Sequence, residues 1–254
     1  MKKILTYIEG KNQEFCQREI FKYLKNKTIP GTQRLAFVPY MAHFVFSFMD
    51  VNRFILRELE TDDDFQKLVN IHSYEDAHHW PWYLEDLKKL GLDKQQSFSS
   101  TLLFLWSDQS IQSRMITYDM IAIARQLSAK EKIVLVEVIE KTGSVFLGVT
   151  ADVSNELCQG DNYLYYGNNH LACETGHHMG TDNVEDFLHA IVLNDDELKK
   201  GQALVDKVYD LYNNFVDEMY RYASNHSFED LVKCESFPQS IDLEVTDESL
   251  YKKG

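Results

Sequence analysis

Proline and glycine are scarce in this chain, which has only 4 prolines and 11 glycines among its 254 residues. Glycine and proline supply most tight turns and interrupt most helices. Their scarcity disfavours a fold of short strands joined by tight turns. It favours long and largely uninterrupted helices.

Cysteine is rare and scattered, and long apolar runs are missing. The four cysteines are Cys16, Cys158, Cys173 and Cys234. No two of them have the CxxC spacing of a zinc or redox motif. The segment MKKILTYIEGK breaks at Glu9 before an apolar run of signal length, so we expect a reduced protein of the cytoplasm. The longest apolar segment, MAHFVFSFM, is too short to cross a bilayer, so we expect no membrane partner.

Basic residues are outnumbered, with 26 Lys and Arg against 40 Asp and Glu and a formal net charge of −14. A protein that binds nucleic acid needs a basic surface for the phosphates, so nucleic acid is not an expected partner. Hydrophobic residues make up 44% of the chain, which is enough for a sizeable core. We expect a single domain over residues 1–254, with a solvated and mobile tail from about residue 240.

The hydrophobic periodicity is helical almost throughout, which predicts an all-α bundle. Ser128 and Glu131 form a predicted capping box, and Gly91 and Gly143 are predicted to end helices. The segment KIVLVEVIE is rich in Val and Ile, but it has no second strand to pair with and is predicted to be helical. The predicted helices are 11–26, 33–60, 63–90, 97–108, 111–127, 129–142, 161–180, 182–194, 196–225 and 227–235.

The segment NNHLACETGHHMG concentrates possible metal ligands. On a helix, each residue advances by about 100°, so His170, Glu174 and His177 lie within about 60° of one another. His178 lies at the edge of this stripe. Histidine and carboxylate ligands suit zinc, iron and manganese, and no thiolate is needed. The alternative is a polar helix face that carries its histidines by chance.

A second cluster lies in HSYEDAHHWPWYLEDLKKLG. Glu75 pairs naturally with His79 at i, i+4 or with His78 at i, i+3, and the second spacing is that of ferritin-like di-iron bundles. His72 and Asp76 are close by in sequence. His72 and His78 could each instead face solvent.

Isolated acids on apolar helices form a third source of ligands. Glu137 and Glu140 interrupt the apolar helix around VEVIEKTG, where a buried carboxylate is costly unless it is paired or binds a metal. One of the two could face water. Asp50 follows the apolar run FVFSFM, and Arg53 or Arg57 could pair with it. One metal needs three or four ligands, whereas these segments offer at least six, so we expect a two-metal centre.

These motifs resemble the heme-oxygenase-like di-iron oxidases, also called iron-containing redox enzymes, which are related in fold to the thiaminase and PQQ-synthesis proteins. That family has a helix with Glu and His, a later helix with one Glu, and a final helix that reads H-xxx-[DE]-xx-H. Here Glu140 lies thirty residues before His170, the first residue of the final motif. The resemblance covers mainly residues 70–180. Two departures are an acid at 174 that is Glu instead of the more usual Asp, and the absence of a glycine-rich segment between Glu75 and His79.

The resemblance implies a heme-oxygenase-like helical bundle with two irons per chain and dioxygen as co-substrate. The implied metal ligands are Glu75, His79, Glu140, His170, Glu174 and His177. The possible extra or alternative ligands are Asp50, His72, His78, Glu137 and His178. Asp76 and Tyr83 are implied to orient the imidazoles. The implied substrate is a small amino acid or a fatty acid-like molecule, and the resemblance leaves a homodimer open.

Three other functions remain open at this point. A heme protein could use His43 as its axial ligand, although that would leave the paired clusters unexplained. A hydrolase of the thiaminase type would need a cysteine nucleophile such as Cys173. The third is a metal-binding bundle without catalytic turnover. Four scattered arginines are candidates to bind a substrate carboxylate: Arg34, Arg53, Arg114 and Arg125.

Overall fold

The computed structural model describes residues 1–157, 163–176 and 184–233, with the side chains of all of these except 174–176 and 184–185. Every regular element in these ranges is a helix, which confirms the all-α prediction. None of the helices in the described ranges is both long and apolar enough to cross a membrane.

The chain forms thirteen α-helices over its described residues, together with 3₁₀ turns at Val38–Met41 and Asp108–Ser110 and a π-helical turn at Val51–Leu56. The α-helices are α1 Lys2–Phe15, α2 Glu19–Lys25, α3 Gly31–Arg34, α4 Ala42–Asp50, α5 Asp64–Asp76, α6 Trp80–Lys89, α7 Phe98–Leu105, α8 Ile111–Ala124, α9 Ala129–Leu157, α10 Asn168–Gly176, α11 Val184–Ala190, α12 Asp195–Asn225 and α13 Phe228–Lys233.

Helix α9 is the centre of the bundle. It packs against α1, α5, α10 and α12, while α12 also packs against α1 and α8. Ile133, Leu135, Val136 and Val138 of α9 are fully buried, so this helix is enclosed over much of its circumference. A helix that is apolar on most sides is stable only in such a position. Its two glutamates, Glu137 and Glu140, are therefore carried into the interior.

Helix ends were partly predictable because their hydrogen bonds are local. Ser128 N–H donates to Glu131 over 2.9 Å and Glu131 N–H donates to the Ser128 hydroxyl over 3.4 Å, which confirms the capping box. Gly91 has a φ of +71° directly after α6. Its N–H donates to Lys88 O and the N–H of the next residue donates to Leu87 O, so α6 ends in a Schellman motif.

Gly143 does not end a helix, because α9 continues through it to Leu157. Glycine inside a helix costs about 1 kcal/mol relative to alanine. Buried residues on both sides of it, such as Thr142, Leu147 and Val149, offset that cost by tertiary packing.

The predicted helices 33–60 and 63–90 are each broken in the structure. The second break is relevant to the site: α5 ends at Asp76 and α6 begins at Trp80, with Pro81 in its first turn. Proline lacks the N–H that a continuing helix needs, and it disfavours helical geometry in the residue before it. His78 and His79 therefore lie on a connection and not on the helix of Glu75.

Candidate metal centre

Four elements carry the histidines and carboxylates of the candidate site. Helix α5 supplies His72 and Asp76, which are one turn apart on the same face. Helix α9 supplies Glu140. The α5–α6 connection supplies His79, and the first turn of α10 supplies His170.

His72 lies between two carboxylates. Its Nε2 is 3.1 Å from Oδ2 of Asp76 and its Nδ1 is 2.8 Å from Oε1 of Glu140. The side chains of His72 and Asp76 are 1% and 4% exposed, so this arrangement is shielded from water. One ligand atom of each of the three residues lies within 4.8 Å of the others, which is compact enough to hold one metal ion.

Several polar atoms of this cluster lack hydrogen-bond geometry despite their burial. Both ring nitrogens of His72 contact carboxylate oxygens as ion pairs without the angles of a hydrogen bond, and within the described residues Asp76 Oδ1 and Glu75 Oε2 have no hydrogen-bond partner. A buried polar atom without a partner costs about 1–3 kcal/mol. A metal cation would coordinate these carboxylate oxygens and, by displacing a proton of His72, one of its ring nitrogens, so this set of side chains fits a bound metal.

A second pair of donors comes from His79 and His170. Nδ1 of His79 lies 2.9 Å from Nε2 of His170, and the rings meet edge to face at 4.5 Å. Nδ1 of His170 lies 2.9 Å from the carbonyl oxygen of Tyr165. A carbonyl only accepts, so Nδ1 of His170 carries a proton, and in the neutral imidazole the lone pair is on Nε2.

Asp76 links the two groups electrostatically. Burial alone raises the pKa of Asp76, but His72, His79 and His170 outweigh burial and hold that pKa below its ordinary value. Asp76 is therefore a carboxylate within reach of three imidazoles. Burial alone lowers the pKa of His72, but Asp76 and Glu140 raise it well above its ordinary value.

The structure brings together four of the predicted ligands or alternatives, namely His72, His79, Glu140 and His170. Asp76 joins them, although the sequence resemblance gave it only an orienting role. Its i, i+4 spacing to His72 was visible in the sequence. The sequence did not predict which face of α5 packs against α9, because that depends on tertiary packing.

Glu75 is half-buried and stays beside this group, but it is not within the compact set of His72, Asp76 and Glu140. The i, i+4 relation of Glu75 to His79 assumed one continuous helix, which the break after Asp76 removes. The side chain of Glu174, and both His177 and His178, lie outside the described residues. Their roles as ligands stay predictions.

The alternative ligands occupy different environments. Burial raises the pKa of Glu137 to about 6, with Lys141 and His72 opposing that shift. His78 is exposed, and its Nδ1 lies 2.7 Å from the carbonyl oxygen of Tyr74. Asp50 is exposed at the end of α4 and lines a groove on another side of the bundle.

The segment before α10 is positioned by a buried aspartate. Asp86 is fully buried and accepts N–H groups from Leu164, Tyr165 and Tyr166 over 2.8–2.9 Å. These bonds position the Tyr165 carbonyl that meets His170. Outer groups that orient a ligand histidine are typical of metal sites.

A cavity of about 90 Å³ opens on the second pair of donors. Asp76, His79 and His170 form its polar end. The remaining described lining is mostly apolar and aromatic and contains neither Lys nor Arg: Phe15, Met41, Phe44, Val45, Phe48, Trp80, Ile139, Thr142, Gly143, Phe146, Leu147, Tyr165, Tyr212, Phe215 and Val216.

Two of the arginines proposed for substrate binding have structural roles. Arg34 is 3% exposed, donates to the carbonyl oxygens of Leu24 and Ile29 and pairs with Glu156. Arg114 donates to the carbonyl oxygens of the α7–α8 connection.

The residues of the two other catalytic hypotheses do not line this cavity in the described part of the chain. His43 lies edge-on to Trp106 and Tyr118, and burial lowers its pKa. Cys173 is half-buried on α10. Comparison with known proteins adds no assignment, because no protein-family model and no curated protein matches this chain.

Proposed function

We propose that this chain is a di-iron oxidase with a heme-oxygenase-like helical bundle, which uses dioxygen to oxidise a small and largely apolar substrate. The observation that carries the proposal is the buried group of three imidazoles around Asp76, whose Oδ1 has no hydrogen-bond partner among the described residues. Such a group is costly as it stands and becomes favourable once cations occupy it.

Under this proposal, the described residues would divide into two sets of ligands that share one carboxylate. His72 and Glu140 would hold one ion, His79 and His170 the other, and Asp76 lies close to both sets. The predicted ligands Glu174 and His177 belong to the same sequence motif as His170. When bound, two ferrous ions would supply electrons for the reduction of dioxygen.

The protein itself contributes shielding and orientation. The aromatic lining keeps water away from the polar end of the cavity. Electrostatic interactions there are therefore stronger than they would be in water. The Tyr165 carbonyl holds the proton of His170 on Nδ1, so the lone pair of the neutral ring is on Nε2, which now faces Nδ1 of His79 and would turn to a cation on binding. Asp86 keeps that carbonyl in place.

The cavity favours a fatty acid-like substrate over an amino acid. An amino acid would bring both an ammonium and a carboxylate into a space whose described lining offers neither Lys nor Arg. Burying an unpaired charge there costs several kcal/mol. A fatty acid-like substrate would place its alkyl chain against the apolar lining and its single carboxylate at the end formed by Asp76, His79 and His170, where the bound cations would offset its charge.

The alternatives predict different outcomes. A heme protein with His43 as its ligand would place the heme away from the central cavity, and it would show a Soret band when loaded. A thiaminase-type hydrolase would lose activity on replacement of Cys173. A metal-binding protein without turnover has the same ligands, but it would take up iron and consume no dioxygen.

The decisive experiment is an anaerobic titration of metal-free protein with ferrous iron, followed by exposure to dioxygen. We expect two irons per chain and rapid oxygen consumption. His79→Ala should lose iron, whereas the adjacent and exposed His78→Ala should match wild type. No iron uptake by correctly folded wild-type protein would refute the proposal, and uptake without oxygen consumption would leave the non-catalytic metal protein.

A further inference from the structure

Trp82 lies in direct ring contact with both histidines of the second pair. Its ring stacks on that of His79 with centroids 4.6 Å apart and planes 12° apart. It also meets the ring of His170 at 5.5 Å and 72°. Trp82 is half-buried at the start of α6, so one part of its indole contacts the site and another is accessible to solvent.

The other two tryptophans have different surroundings. Trp80 lines the central cavity and packs against Phe46. Trp106 is 57% exposed and lies edge-on to His43. Trp82 therefore stacks on a candidate ligand, Trp80 is nearby but lines the cavity, and Trp106 is remote from the site.

We propose that Trp82 is a redox-active residue that donates electrons to the oxidised metal centre when dioxygen reacts in the absence of substrate. This inference rests on the proposed function, which supplies the oxidant. Indole is electron-rich, and its parallel contact with His79 provides a short path between the two rings. Because Trp82 is only half-buried, nearby solvent water can accept the proton that the oxidised ring releases.

The electron balance of the step is complete. The indole would lose one electron to the oxidised metal centre, and its nitrogen would release one proton to water. A small reductant such as ascorbate returns the electron, and water returns the proton. Without that reductant, the indole would pass a second electron to the oxidised metal centre, add one water molecule and release a second proton, which gives hydroxytryptophan.

The structural alternative is that Trp82 only packs against His79 and holds it in place. A packing role can be filled by another aromatic ring of similar orientation, whereas a redox role cannot be filled by phenylalanine. Trp82→Phe therefore separates the two roles. Trp80→Phe and Trp106→Phe are matched controls on the same chain.

The test loads wild-type protein and the three variants with ferrous iron under anaerobic conditions and exposes them to dioxygen without substrate. Tandem mass spectrometry of the digested protein then locates added oxygen atoms, and electron paramagnetic resonance on rapidly frozen samples detects an indole radical. We expect wild type to carry the added oxygen mainly on Trp82, in several-fold excess over the exposed Trp106. Ascorbate should suppress that product.

The Trp82→Phe variant should bind iron like wild type but show no indole radical, while both control variants keep it. If wild type binds iron and consumes oxygen with Trp82 unmodified and no radical, the redox role is refuted and the proposed function stands. If wild type binds no iron, both proposals fail. Reduced iron content in Trp82→Phe alone, with no radical in wild type, would establish the packing role instead.

Discussion

Nδ1 of His79 lies 2.9 Å from Nε2 of His170, although 91 positions separate the two residues in the chain. One ring comes from the connection after α5 and the other from the first turn of α10. The contact is possible because α5 and α10 both pack against α9. It places two imidazoles beside Asp76, and these add to the larger effect of His72, which holds the pKa of that carboxyl below its ordinary value.

Replacement of His72 should affect both stability and metal binding. His72→Ala leaves Asp76 and Glu140 buried without their imidazole partner, so we expect the metal-free protein to lose about 3 kcal/mol of unfolding free energy. We also expect iron affinity to fall by about 100-fold or more. Urea unfolding with a chelator and iron titration measure the two effects. Equal losses in the exposed control His78→Ala would contradict the assignment.

Replacement of Asp86 should weaken the support of His170. In the wild-type protein, both carboxylate oxygens of Asp86 accept backbone N–H groups. In Asp86→Asn, an NH₂ group replaces one of these oxygens and cannot accept. At least one buried backbone N–H is then left without a partner. We expect a loss of about 2 kcal/mol in stability. Iron affinity should fall about tenfold. Chemical unfolding and metal titration test this, with the exposed Asp152→Asn as a control that should show neither effect.

Glu137 should make the metal-free protein less stable as pH rises from about 4 to 7. Burial raises its pKa from 4.5 to about 6 in the folded state. The unfolded chain therefore releases the proton first, and a penalty of about 2 kcal/mol accumulates through this window and stays above it. Glu137→Gln should be about 1–2 kcal/mol more stable than wild type at pH 8 and equal to it near pH 4.

The measurement for Glu137 is the free energy of unfolding across this pH range in the presence of a chelator. The exposed Glu60→Gln provides the control, because we expect it to follow wild type at every pH. A Glu137→Gln curve parallel to the wild-type curve would show that Glu137 is not buried in its ionised form.

Filling the cavity should block substrate without removing iron. Gly143 lines the cavity on α9, so Gly143→Leu would place a side chain in the space proposed for an alkyl chain. We expect binding of a fluorescent fatty acid analogue to weaken about tenfold or more, because overpacked sites cannot relax freely. Gly148→Leu on the same helix is the matched control, since a Cβ there meets nothing within 4 Å. Equal weakening in both variants would mean that the ligand binds elsewhere.

The sequence was sufficient for the features that depend on local interactions. Scarce proline and glycine with helical periodicity predicted the all-α fold, and the capping residue Ser128 and the glycine at 91 predicted two helix ends. Each of these involves residues within a few positions of one another. Gly143 was predicted wrongly because its local preference is overcome by packing around α9, which the local sequence does not contain.

Within one helix, the sequence also indicated which candidate ligands share a face, since side-chain directions repeat with the helical period. Only the tertiary structure decided how the faces meet. The break before Pro81 separates His79 from the helix of Glu75, and the packing of α5 on α9 brings His72 and Asp76 to Glu140. Contacts between distant segments depend on how all helices bury their apolar faces together, and this is a property of the whole bundle.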